Sequence, residues 1–184
     1  KKGHQFSTGT DTEVILHAFE EWDIHCVDQF IGMFVFVILD SQKEDLYLFR
    51  DRAGVKPLYY HLNNNGFLFG SELKPFHEYP DFYKEIDYGS LMDYFHNGYI
   101  PAPGSIFRNT YKLEAGHYAT FSLRSKTLRK YKYWDPASYY QKPKINLSYE
   151  EAKYQLHELL RDAFSYRMVS DVPVGVFLSG GYDS

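Results

Sequence analysis

The strongest constraint on the fold is the stretch Val174-Gly175-Val176-Phe177-Leu178-Ser179-Gly180-Gly181-Tyr182-Asp183-Ser184. An apolar, partly β-branched run there leads into a glycine-rich turn. The run predicts a buried strand, and the turn falls where a helix should begin. Adjacent glycines leave their backbone N–H groups uncovered and take positive φ freely, the geometry that cradles an anion. Serine hydroxyls and a helix N-terminus would add donors for the same anion. Asp183 repels a bare phosphate but suits one that arrives with a divalent metal.

Working back from that loop, Ser148-Tyr149-Glu150-Glu151 has capping-box spacing, and Ala152, Leu156, Leu159, Leu160, Ala163 and Phe164 form one apolar stripe behind it. Helix, strand and glycine loop together read as the start of an α/β nucleotide-binding domain. Residues 135–147 are polar and bear tyrosine and proline, as an interdomain linker does.

The first part of the chain has a different rhythm. Thr10-Asp11-Thr12-Glu13 predicts a second capping box, and Val14, Ile15, Ala18, Phe19 and Trp22 predict a helix over residues 11–22. The nearly unbroken apolar run 32–40 predicts a central strand covered on both faces, with 46–51 as its partner. Segments 58–61 and 66–69 flank Asn63-Asn64-Asn65 as a hairpin. Short helices are expected after Ser71 and over about 87–99, and two alternating strands over 117–123 and 127–134. The 18 Tyr and 15 Phe fit such a sheet-rich core.

Several function classes are disfavoured. A net charge of -4 argues against non-specific nucleic-acid binding. The Lys126, Arg129, Lys130 and Lys132 pattern, with Tyr131, Tyr133 and Trp134, reads instead as a strand with one wet and one buried face. The single cysteine, Cys26, excludes an internal disulfide and a cysteine-built zinc site, and a small buried hydrophobe is its expected role. The eight histidines show no paired metal spacing. Arg50, Asp51, Arg52 and Lys56 are expected to form a strand-to-turn ion-pair network. With no apolar run long enough to span a bilayer and no signal-peptide pattern, a cytoplasmic protein, or a piece of one, is expected.

Five stretches, in order, resemble the glutamine-dependent (class B) asparagine synthetases: residues 6–14, Gly32-Met33-Phe34-Val35-Phe36, residues 50–60, Gly70-Ser71-Glu72-Leu73-Lys74, and residues 170–184. The resemblance implies an α+β N-terminal-nucleophile glutaminase domain of antiparallel sheets with helices over 1–134. A linker over 135–147 and the start of an α/β ATP-pyrophosphatase domain over 148–184 would follow. In that family an N-terminal cysteine attacks glutamine, and the ammonia released reaches an aspartyl-AMP intermediate made with ATP and Mg2+.

By position, Asp11 matches the aspartate that holds the glutamine α-amino group. Phe177 and Leu178 match the strand end beside the adenine. Ser179, Gly180, Gly181, Asp183 and Ser184 match the pyrophosphate loop, with Asp183 on the magnesium side. Lys1-Lys2-Gly3 does not supply the nucleophilic cysteine, so an internal fragment is expected, inactive alone and weak in ATP binding. Glutamine, ATP and an acceptor carboxylate are the expected partners, with a homodimer left open. Three other readings remain: the same architecture acting on another carboxylate such as a uronic acid sugar, a β-lactam synthetase-like protein with a vestigial glutaminase half, and a non-catalytic binding module. Asp11 argues against the β-lactam synthetase-like reading.

Overall fold

The computed structural model describes residues 3–63 and 66–182. It divides into two compact units, Lys1–Tyr139 and Tyr140–Ser184. Within the first, helix α1 (Asp11–Trp22) has the predicted bounds and leads into a 3-10 turn, Asp23–Gln29. The strands β1 (Val35–Asp40), β2 (Asp45–Arg50), β6 (His117–Ser122) and β7 (Thr127–Lys132) form one antiparallel sheet in the order β1-β2-β6-β7. A second antiparallel sheet has the order β4-β3-β5, from β3 (Tyr59–Leu62), β4 (Phe67–Gly70) and β5 (Thr110–Lys112). The α+β class with antiparallel sheets is therefore the class observed. Strand β5 was not foreseen, because three residues are too few for a period-2 signal.

Alternation along β2 divides the core in two. Tyr47 and Phe49 point to the side of α1, where Ala18, Cys26, Val27 and Ile38 are buried with them. Leu48 points the other way, into a cluster with Leu58, Tyr60, Leu113 and Ala119 that joins the two sheets. Each face of the four-stranded sheet is thus covered by a different layer, as the pleat requires. Phe36 and Tyr118 stack on Phe49 from its two neighbouring strands, with centroids at 4.6 and 5.7 Å.

Two strand expectations are corrected. Strand β1 lies at the sheet edge among the described residues, not at its centre, and Leu39 is 57% exposed. Its apolar run is only partly buried, and β2 and β6 are the central strands. Strand β7 does not separate into one wet and one buried face. Leu128 packs toward the inter-sheet core, while Tyr131, on the other face, stacks on Tyr118 at 4.9 Å. Lys130 and Lys132 are paired with Glu114 and Asp135.

The charged stretch after β2 is also built differently from the expected ion-pair network. Its side chains bond to backbone. The Arg50 guanidinium donates to the carbonyls of Lys56 at 2.8 Å, Gly54 at 2.7 Å and Leu113. The buried Asp51 carboxylate accepts the N–H groups of Ala53, Val55 and Lys56 at 3.0–3.1 Å. Arg52 donates to the carbonyls of Phe30 and Asp28. A turn buried beside the core must satisfy its own backbone, and these residues do so.

Helix α2 (Tyr88–Asn97) starts on Asp87, which accepts the Ser90 N–H at 2.7 Å, and stops at Gly98, whose φ of 76° suits glycine. The Ser71 helix is a 3-10 turn, Lys74–Glu78. A short helix α3 (Ala137–Tyr140) lies within the expected linker.

In the second unit, α4 (Tyr149–Arg167) has the predicted capping box between Ser148 and Glu151. Its stripe is exposed, Leu159 at 68% and Phe164 at 63%. The buried strand predicted over 174–178 is not formed: these residues are exposed, and no described strand pairs with them. A strand exists only through hydrogen bonds to a neighbour, so an apolar run alone cannot make one.

Candidate functional site

The site begins with the loop that precedes α1. Thr10 occupies the N-cap position in an extended conformation, yet its side chain makes no capping bond. The predicted capping box is replaced by a wider clasp. The Glu13 carboxylate reaches past Thr10 and accepts the N–H of Ser7 and of Thr8, both at 2.7 Å, and the Thr8 hydroxyl at 2.6 Å. The Thr10 N–H faces the Thr8 hydroxyl at 3.4 Å. The Ser7 N–H, followed by the Thr8 hydroxyl and N–H, holds the Glu13 carboxyl below the usual glutamate range.

This clasp fixes the backbone that presents Asp11. Asp11 is the first residue of α1, and its side chain is exposed. A carboxylate there is favoured by the helix dipole. It can accept hydrogen bonds from an amino-acid ammonium group and balance its charge.

Beside the same loop lies a cavity of about 590 Å3, lined mainly by His4, Phe6, Val14, His17, Trp22 and Phe30. Phe6 and Val14, the two ends of the first of the five stretches, thus both face it. Asp11 is not among its lining residues.

One grouping was missed from sequence. His4 and His17 pack with ring centroids 4.7 Å apart, and Glu20 lies beside both. The His17 Nδ1 is 2.9 Å from Glu20 Oε2, a hydrogen bond that raises the pKa of the imidazole. The histidines carry no paired metal spacing along the chain, yet the fold brings His4 and His17 together with Glu20. The available signal was His17-x-x-Glu20, which puts both on one face of α1. Nothing local pointed to His4.

Cys26 is fully buried, and burial pushes its thiol up to about 11. It is the small core residue expected and no nucleophile.

The predicted nucleotide residues lie in the other unit. Phe177, Leu178, Ser179, Gly180 and Gly181 are exposed. Gly180 has φ +80°, and the Gly181 N–H faces the Ser179 hydroxyl at 3.3 Å. Asp183 and Ser184 lie outside the described residues.

With the geometry in place, similarity decides the family. The model of the glutamine amidotransferase domain matches residues 1–134. The chain belongs to the glutamine amidotransferase family. The asparagine synthase model matches residues 155–184 of the same chain.

A Methanocaldococcus jannaschii protein with a provisional name as a glutamine-hydrolysing asparagine synthetase is 46% identical, over 96% of this chain and 34% of its own length. Asparagine synthetase [glutamine-hydrolyzing] 3 of Bacillus subtilis is 39% identical, over 100% of this chain and 29% of its own. A Gibberella zeae protein named amidase chry2 is 29% identical, over 98% of this chain and 26% of its own. The chain thus spans between a quarter and about a third of the length of these relatives. The resemblance noted from five stretches extends along the whole chain.

Proposed function

We propose that the chain is part of a glutamine-dependent asparagine synthetase. Residues 1–134 would belong to the glutaminase domain and residues 148–184 to the opening of the ATP-pyrophosphatase domain. The observation that carries this reading is the order of two matches in one chain, amidotransferase before asparagine synthase. Relatives bearing the asparagine synthetase name over essentially the whole chain support it further. A cytoplasmic location fits the unpaired, buried Cys26.

In this reading Asp11 anchors the α-ammonium group of glutamine, and Glu13 keeps Asp11 in place by holding the loop from Ser7 to Thr10. An anchored α-amino group fixes where the side-chain amide lies, which is the positioning that amide attack requires. At the second site, the left-handed Gly180 and the Ser179 hydroxyl suit phosphate oxygens, so the described part of the turn fits ATP. Ser179, Gly180, Gly181 and Ser184 would hold the phosphates, Phe177 and Leu178 would flank the adenine, and Asp183 would face Mg2+. When bound, ATP with Mg2+ supplies the leaving group that makes a carboxylate open to ammonia.

The test uses the full-length protein with glutamine, aspartate and ATP-Mg2+. Asparagine, glutamate, AMP and pyrophosphate should form in step. Asp11→Asn should raise KM for glutamine about tenfold, the cost of losing one charge-assisted contact. An unchanged KM would remove Asp11 from the glutamine site. Glutamate formed without AMP, pyrophosphate or asparagine would favour a second reading, the same architecture on another carboxylate, because no carboxylate in the mixture would then have been adenylated.

A further inference from the structure

We propose that His4, His17 and Glu20 form a binding site for a divalent first-row transition-metal ion, of the zinc or nickel kind, that ties the segment before α1 to the helix. The proposal is independent of the amidotransferase chemistry. One ligand atom from each of the three residues lies within 4.8 Å of the others. The two imidazole Nδ1 atoms both face Glu20 Oε2, from His4 at 3.9 Å and from His17 at 2.9 Å. An ion about 2 Å from each donor needs donor–donor separations of roughly 3 Å, so small rotations of exposed Glu20 and of His4 would close the site. Two imidazoles and one carboxylate suit zinc, copper or nickel better than magnesium or calcium.

The surroundings support a cation as well. The Nε2 atoms turn away from Glu20 and toward other carboxylates, His4 to Glu21 at 3.5 Å and His17 to Glu13 at 3.9 Å. A carboxylate behind the second nitrogen is the usual support of a metal-bound imidazole, fixing its tautomer and ring orientation. Buried His4 Nε2 makes no hydrogen bond as it stands, an orphaned donor that such an arrangement would employ. Both histidine side chains are largely covered, at 27% and 23% relative exposure, while Glu20 at 64% leaves the ion a way in.

The consequence is mechanical. His4 stands three residues before Ser7, where the Glu13 clasp begins, so a bound ion would add a second tie on the same segment. Three protein ligands leave the remaining positions to water, which makes this a clasp of moderate affinity.

The experiment is zinc titration of the untagged chain by calorimetry, with thermal unfolding followed in parallel. One zinc per chain and a rise in Tm with zinc are expected, because an ion bound only by the folded state stabilises it. His4→Ala and Glu20→Gln should each weaken binding about tenfold or more and shrink the Tm rise accordingly. His25→Ala, on a residue outside the cluster, should change neither. Glu20→Gln keeps the shape of an exposed side chain, so circular dichroism should show it folded even if His4→Ala is not. Absence of binding, or binding that Glu20→Gln leaves unchanged while His25→Ala reduces it, would overturn the proposal. Binding unaffected by every variant would overturn it equally.

Discussion

Glu13 shows how much one carboxylate can organise. Its charge is met by two backbone N–H groups and one hydroxyl, so the loop from Ser7 to Thr10 is fixed to the helix it precedes. Glu13→Gln keeps the shape and removes the charge. We expect Ser7 and Thr8 amides to lose hydrogen-exchange protection at neutral pH, with little change elsewhere. Because the folded pKa lies below the ordinary value, the clasp is complete above the usual glutamate range and is lost as pH falls through the lowered pKa. Wild-type protection at the two amides should therefore converge on that of the variant in acid. Equal protection of both proteins at neutral pH would show that the clasp does not hold the loop. A Thr-x-x-Glu spacing was legible in the sequence, but its target was not. The capping box and the longer clasp use the same residue types, and the path of the preceding loop chooses between them.

At the scale of elements, the helices were the most legible part. Helix α1 has its predicted limits, α4 its predicted cap, and α2 differs from prediction only at its ends. Each is signalled by residues three or four apart, a distance the chain itself supplies. Asp87 illustrates the energetics. The Ser90 N–H, above all, lowers its pKa, so its capping contribution is present above the ordinary aspartate range and lost as pH falls through the folded value. Asp87→Ala should cost about 1 kcal/mol in urea unfolding at neutral pH. The difference between the two proteins should shrink in acid. Strands were less legible in role than in position. The run at β1 was placed correctly but assigned to the middle of a sheet, since hydrophobicity reports burial and not which neighbours provide it.

At the scale of the molecule, Arg50 joins segments that are remote in sequence. It ends β2, donates to the carbonyl of Leu113 beyond β5, and its own carbonyl accepts the Tyr133 hydroxyl at 2.7 Å. Burial lowers its pKa, which marks the strain of placing a cation there, and the ring of carbonyls offsets that cost. Arg50→Met fills similar space but orphans those carbonyls. A loss of about 3 kcal/mol is expected in urea unfolding. A loss below about 1 kcal/mol would mean that water takes over the carbonyls and that Arg50 is not what joins these segments.

By itself the sequence determined the periodic elements, the core role of Cys26, the α+β class and, through ordered motifs, the family. These depend on residue type and short-range spacing. Among the described residues, tertiary structure alone decided that β1 is an edge strand, that residues 174–178 stay unpaired, that Arg50 serves backbone carbonyls, and that His4 meets His17 and Glu20. Each of these depends on which distant backbone docks against which face, and no local pattern encodes that choice.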